Sequence, residues 1–308
     1  MENPAVMKET AMAKVLCFGS LNIDYVYKVE HFVKKGETIS STSLNVFSGG
    51  KGLNQSVALG KAGCNTYHAG MIGQDGTFLL DVLKDAGVNT SLTLISDTAR
   101  TGNAIIQNDS AGDNCIILYP GSNRQITEEM VDMVLDHFEK GDYLILQNEI
   151  NKLDYITQKA KELGMIIFLN PSPFDEKLTM DILKRADWMV LNEVEASQLT
   201  GCDSYEETLL AAALRKSYPD TCFVLTLGIN GSCCITAEET VHQDIYPAKT
   251  VDTTAAGDTF LGYFVSGLIS EKHVKDCMDM AAKASSITVS REGAAPSIPW
   301  MHEIDSNF

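Results

Sequence analysis

Tyr143-Leu144-Ile145-Leu146, Met165-Ile166-Ile167-Phe168-Leu169 and Trp188-Met189-Val190-Leu191 are apolar at every position, and helical patterns fill the gaps at Leu153 to Leu163 and Leu178 to Arg185. A strand with no polar face must be covered on both sides. Strands of this kind alternating with helices form a mainly parallel sheet between two helical layers, a three-layer α/β/α sandwich. The pattern extends outward in both directions. Upstream, Val15-Leu16-Cys17-Phe18-Gly19 reads as a buried strand, with helices over Gly52 to Ala62, Leu79 to Ala86 and Met130 to Phe138. Downstream, a helix over Glu206 to Lys216 precedes the strand Phe223-Val224-Leu225-Thr226-Leu227. Right-handed crossovers follow. Ligands in such folds sit beyond the carboxyl ends of the strands. Asn22, Asp24, Gln147, Glu149, Asn170, Asn192 and Thr226 fall there.

Two stretches depart from this pattern. Tyr25 to Val29 and Thr38 to Phe47 alternate as half-buried strands do, and Ala104 to Ile106 and Cys115 to Leu118 flank a turn at Ser110-Ala111-Gly112-Asp113. They are too polar on one face for the central sheet. Residues 24–48 and 102–119 are therefore expected to form a small separate β-layer, acting as a lid or a dimer contact. An ordinary hairpin without a gating role is the alternative. No linker or low-complexity block interrupts the chain, so residues 15–308 read as one domain behind an N-terminal extension of residues 1–14.

Composition narrows the partners. The 308 residues include 41 acidic and 24 basic side chains, for a net charge of −17. Nucleic acid and anionic membrane are thereby disfavoured, since no Lys/Arg cluster offers a footprint. An anionic nucleotide held by local N–H groups is not. The eight cysteines lack Cys-x-x-Cys spacing, which suits small core thiols in the cytoplasm rather than a disulfide frame. The six histidines lack zinc spacing, and the first 14 residues lack the apolar core of a signal peptide or anchor.

Chemistry concentrates in a few segments. Asp252-Thr253-Thr254-Ala255-Ala256-Gly257-Asp258-Thr259-Phe260 leads small residues into an apolar helix face (Phe260, Leu261, Phe264, Leu268). Small residues at a helix start let a polyanion approach the backbone N–H groups, and the macrodipole favours its charge. A carboxylate there would repel a phosphate but could take a proton from an attacking hydroxyl. An Asp that only decorates the helix start is the plainer alternative. Ser48-Gly49-Gly50-Lys51-Gly52-Leu53-Asn54-Gln55 lacks Walker A spacing, yet offers bare backbone beside a Lys and an Asn, which suits a hydroxyl-rich ligand. Asn22 and Asp24 add hydroxyl partners after the first strand, or serve only as turn residues. Asn192-Glu193-Val194-Glu195 would either hold Mg²⁺ through water or cap a helix. Thr226-Leu227-Gly228-Ile229-Asn230-Gly231 would make either a phosphate-approach turn or a hairpin connection.

Together these pieces resemble the ribokinase-like, phosphofructokinase-B-type sugar kinases. The segments that carry the resemblance are Gly19 to Asp24, Gly49 to Gln55, Leu169-Asn170-Pro171-Ser172-Pro173, Asn192 to Ala196, Thr226-Leu227-Gly228, Asp252 to Phe260 and Arg291-Glu292-Gly293-Ala294-Ala295-Pro296-Ser297-Ile298-Pro299-Trp300. They stand in the family's order from residue 15 to the end of the chain. The resemblance implies ATP-dependent phosphorylation of a pentose primary hydroxyl, with D-ribose giving D-ribose 5-phosphate. It makes Asp258 the catalytic base and the N–H groups of Ala255, Ala256 and Gly257 the anion hole. Asn22, Asp24, Gly49, Gly50, Lys51, Asn54 and Glu149 would hold the sugar. Asn192, Glu195, Thr226, Gly228 and Gly231 would serve ATP and Mg²⁺. Asp252, Thr254, Thr288, Arg291, Gly293 and Ser297 match a monovalent-cation loop, usually K⁺. The family's lid often pairs two subunits, which implies a homodimer. Leu53 stands where the family usually has Ala, so it either reshapes the pocket or adjusts packing. Another sugar kinase or a nucleoside kinase of the same family is the alternative within the enzyme class, and a nucleoside kinase would need an apolar or aromatic slot, for which Tyr25 and Tyr27 are candidates. A non-catalytic sugar-binding regulator is the alternative from another class, and the intact Asp258 and glycines argue against it.

Overall fold

A computed structural model describes residues 13–111, 113–175 and 177–308. Most of the predicted N-terminal extension, and Gly112 of the predicted turn, lie outside these. In chain order the first half comprises β1 (Lys14–Phe18), β2 (Asn22–Lys28), β3 (Ser43–Gly49), α1 (Lys51–Lys61), β4 (Asn65–Gly73), α2 (Phe78–Asp85), β5 (Asn89–Ser96), β6 (Gly102–Asn108), β7 (Asn114–Tyr119) and α3 (Glu128–Leu135). The second comprises β8 (Tyr143–Gln147), α4 (Leu153–Leu163), β9 (Ile166–Asn170), α5 (Met180–Arg185), β10 (Trp188–Asn192), α6 (Glu193–Thr200), α7 (Glu207–Ser217), β11 (Cys222–Thr226), β12 (Ser232–Ile235), β13 (Thr240–Gln243), α8 (Ala256–Ile269), α9 (Val274–Val289) and α10 (Met301–Asn307).

The apolar runs form the centre of a nine-stranded sheet in the order β13-β12-β11-β10-β9-β8-β1-β4-β5. It is parallel except where β12 and β13 add an antiparallel edge. Successive strand residues enter opposite cores, as the twofold pleat requires. Cys17, Ile145, Phe168, Val190 and Val224 pack beneath α1, α2, α8 and α9. Leu16, Leu144, Ile167, Met189 and Leu225 pack beneath α3 to α7. This is the expected α/β/α sandwich.

The sequence reading passes over β4 and β5, because Asn65, Thr66, His68 and Asn89 break their apolar pattern. Asn65 and Asn89 stay exposed where the strands begin, and the buried His68 is paired: Ser56 Oγ lies 2.7 Å from His68 Nδ1, and Thr93 Oγ1 donates to the His68 carbonyl at 3.0 Å.

The four predicted outer strands form their own sheet, in the order β3-β2-β6-β7. Residues 38–42 stay outside it, since β3 begins only at Ser43. The expected polar face is also missing. Leu44, Val46, Ile105, Ile116, Ile117 and Leu118 are all exposed, with Ile117 at 60%. All eight cysteines are free. Among the described residues no helix is long and apolar enough to cross a membrane.

Candidate active site

The site lies beyond the carboxyl ends of β1, β8, β9, β10 and β11. There β1 is flanked by β4 on one side and β8 on the other, a point where successive crossovers diverge and leave a crevice. The start of α1 is pressed into that crevice. Gly50 precedes the helix at φ 92°, and the Leu53 N–H donates to the Ser20 carbonyl at 2.9 Å. A β-carbon on Gly52 would stand 2.3 Å from the Ser20 nitrogen, so glycine alone permits the approach.

This approach brings consecutive α1 residues to the first turn of α8. Asn54 Nδ2 donates to Asp258 Oδ2 at 3.2 Å, and Gln55 Nε2 donates to Asp258 Oδ1 at 2.9 Å. Asp258 is 8% exposed and still lines a cavity of about 280 Å³ with Lys51, Asn170, Glu195, Thr226 and Gly257. Asn54 Oδ1 is buried without a partner, a polar group left unsatisfied beside the base. Leu53 points the other way, fully buried in the core with Val57 and Leu59. It therefore adjusts packing and does not line the cavity.

Before the start of α1, Asp24 lies against Gly49, where a β-carbon would come within 2.0 Å of its carboxylate. Glu149 accepts from the Lys51 N–H at 2.9 Å and from Ser20 Oγ. Burial and the Glu149 charge push Asp24 up to about 6, and burial raises Glu149 as well. Burial alone would lower Lys51, but the carboxylates of Asp258, Glu149 and Glu195 raise it. Asn22 is held by Asn123, whose Nδ2 donates to Asn22 Oδ1 at 2.8 Å. The sequence reading does not pick out Asn123, which sits in a short turn after β7 and carries no motif. Tyr25 and Tyr27 alternate with Asp24 along β2, so they lie on the opposite face of their sheet, and Tyr25 packs against the core. They do not form the aromatic slot considered for a nucleoside.

A larger cavity of about 400 Å³ adjoins the first and shares Asn192, Thr226, Ala256 and Gly257 with it. Ile229, Ile245, Tyr246, Phe260 and Val289 line this second cavity, which suits a flat apolar ring. Sequence reasoning reached only its rim, because these walls come from segments far apart in the chain. Gly228 and Gly231 close the hairpin between β11 and β12, at φ 57° and 84°, and line the same cavity. The hairpin reading of that turn holds.

At the junction, Ala255 adopts φ 62°, a left-handed conformation strained for a residue with a β-carbon. Among the described residues no acceptor pairs with the N–H of Ala255 or Gly257, while Ala256 makes a long 3.3 Å bond to the Thr253 carbonyl. A β-carbon on Gly257 would meet open space. The helix start thus presents unpaired donors to the cavity beside a buried carboxylate.

The model of the pfkB family carbohydrate kinases matches residues 12–301. The chain belongs to this family. The ribokinase of Staphylococcus aureus (strain COL) is 35% identical over 300 residues, covering 95% of this chain and 98% of that protein. The structure of Arabidopsis thaliana ribokinase complexed with ribose and ATP superposes with a TM-score of 0.88 at 29% identity, covering 97% of this chain and 99% of that one. Cryptococcus neoformans ribokinase in complex with ADP gives a TM-score of 0.84 at 30% identity, with 96% and 100% covered.

In this pfkB kinase Asn192 and Glu195 cap α6 reciprocally: Asn192 Oδ1 accepts from the Glu195 N–H at 2.8 Å, and Glu195 Oε2 from the Asn192 N–H at 3.0 Å. The capping reading holds, and both residues also line the smaller cavity. Asn170 Nδ2 donates to the Val190 carbonyl, which leaves a buried Oδ1 without a partner. No cluster of three His, Cys, Asp or Glu side chains could enclose a metal among the described residues. Scattered oxygen donors suit Mg²⁺, which keeps several waters and binds largely through substrate phosphates.

Of the residues named for the cation loop, Asp252, Thr254 and Gly293 are brought together. Asp252 accepts from the Thr254 N–H at 2.9 Å, Thr254 Oγ1 at 2.7 Å and the Gly293 N–H at 3.0 Å. Burial would raise its pKa, and these bonds lower it. The other side chains turn elsewhere: Arg291 pairs with Glu303 at 2.7 Å, Ser297 donates to the Ala294 carbonyl, and Thr288 to the Ala284 carbonyl. Any cation held by Thr288, Arg291 or Ser297 would therefore rely chiefly on their main-chain carbonyls.

Proposed function

We propose that this pfkB kinase transfers the γ-phosphoryl group of ATP to the primary hydroxyl of D-ribose, giving D-ribose 5-phosphate. The observation that carries the reading is the position of Asp258. It stands between the apolar cavity suited to adenine and the polar loops suited to sugar hydroxyls, beside unpaired helix-start donors. Asn22, Asp24, Lys51, Asn54 and Glu149 orient the sugar. Asp258 takes the proton from its primary hydroxyl as that oxygen bonds to phosphorus. The bond from phosphorus to the bridging oxygen breaks, and its electron pair leaves with ADP. The N–H groups of Ala255 and Gly257 meet the charge on the transferring group, and one such donor is worth ~3 kcal/mol of barrier.

Asn170 and Glu195 would hold Mg²⁺ through its waters, and the ion neutralises phosphate charge when bound. The loop from Asp252 to Thr254, tied to Gly293, is read as the seat of a K⁺ activator. We read residues 15–308 as one domain in which the four-stranded sheet covers the sugar, and its exposed apolar strands as the contact of a homodimer. An ADP-release assay with ribose, deoxyribose, fructose and adenosine tests the function. Ribose should give the highest kcat/KM. A higher value for another acceptor would overturn the substrate, and sugar binding without ADP formation would overturn the enzyme.

A further inference from the structure

Two glutamines outside both cavities bear on the base. Gln55 and Gln147 are buried, at 1% and 0% exposure, and neither lines a cavity. Gln147 on β8 donates through Nε2 to Gln55 Oε1 at 2.6 Å, and Gln55 on α1 donates through Nε2 to Asp258 Oδ1 at 2.9 Å. Gln147 Oε1 has no partner and is packed against Gly19, where a β-carbon would stand 2.3 Å away. The chain of bonds therefore runs in one direction, from the sheet through α1 into α8.

Its direction has a chemical cause. An ionised carboxylate only accepts hydrogen bonds, whereas a carboxamide has one donor end and one acceptor end. Gln55 must turn its NH₂ toward an ionised Asp258, so its oxygen faces Gln147, which must then present its own NH₂. A flipped Gln55 would set oxygen against oxygen at Asp258 and NH₂ against NH₂ at Gln147. In a dry interior both arrangements are costly. We propose that Gln55 and Gln147 form a positioning relay that holds Asp258 aimed for proton abstraction. The proposal rests on reading Asp258 as the base. Lys51 on α1, Cys17 on β1, Glu149 after β8 and Glu195 on α6 also face this centre. They are unchanged in the variants that follow.

The experiment uses the full chain and compares Gln147→Met, Gln55→Met, Gln55→Glu and Asp258→Asn. Methionine keeps the volume and removes the donor. For each variant, kcat is measured from about pH 3.5 to 9, a range that brackets the usual aspartate value, beside the KM for ribose and for ATP, and folding is followed by thermal melting. Gln55→Met should lower kcat about tenfold or more, the loss of one bond to a charged group. Its acid limb should move to higher pH by about one unit, because a carboxylate without that donor holds its proton more tightly. Gln147→Met should move both quantities the same way by less, and the two KM values should stay within about twofold of wild type. Gln55→Glu should move the limb furthest, since the two carboxyls must share a proton. If Gln55→Met does not fold, Gln147→Met still decides. Folded variants with an unshifted acid limb, whatever their melting temperature, would overturn the relay. Turnover surviving in Asp258→Asn would instead overturn the base itself.

Discussion

Gly52→Ala tests the packing that brings the base to the sugar. A β-carbon at this position would stand 2.3 Å from the Ser20 nitrogen and 2.5 Å from the Gly19 carbonyl carbon. Ordinary contact begins at 3.4 Å, so the backbones must separate by about 1 Å. No flexible side chain can absorb this, because both obstacles are main chain. The start of α1 must move away from β1 and carry Asn54 and Gln55 with it. Their bonds to Asp258, at 3.2 and 2.9 Å, leave little slack. A displacement of ~1 Å at a reacting centre costs on the order of 100-fold in rate. We expect kcat in the ADP-release assay to fall about 100-fold. Gly63→Ala, just past the same helix, is the control. Its φ of 86° strains any side chain, yet a β-carbon there meets nothing within 4 Å. It should lower the melting temperature and leave kcat unchanged. A Gly52→Ala protein that melts cooperatively and keeps more than about a third of wild-type kcat would refute this reasoning, since the predicted loss is ~100-fold.

Other outcomes follow from the same site. Asp258→Asn should lower kcat by roughly 10²–10⁴-fold while ribose binding by calorimetry stays near wild type; loss of binding with retained turnover would contradict the base. Asp24 is pushed up to about 6, so it loses its acceptor charge as pH falls through that value. The kcat/KM for ribose should decline below it while the ATP KM holds, and Asp24→Asn should remove that limb and raise the ribose KM about tenfold or more. Rates should rise with K⁺ and much less with Na⁺ at matched ionic strength; equal rates would remove the cation role of the Asp252 loop. Ile117→Glu, on an exposed strand of the small sheet, should shift the protein from dimer to monomer in sedimentation; an unchanged mass would exclude that contact.

The sequence by itself determined whatever a short window of chain encodes. Runs such as Met165 to Leu169 must be covered on both faces wherever they lie, so sheet type, helix layers and the strand ends that carry Asn170 and Asn192 were legible. Small residues before Asp258 announce a helix start open to an anion, again a local property. Tertiary structure decided the rest, because it depends on which distant segments meet. Parity along β2 sent Tyr25 to the core and Asp24 to the site. Burial turned Leu53 inward and paired His68 with Ser56, which let polar strands such as β4 enter the central sheet. Gln147 and Asp258 lie 92 and 203 residues from Gln55 along the chain. Only the folded chain joins them, because a hydrogen bond is set by distance and direction in space, and sequence separation does not record either.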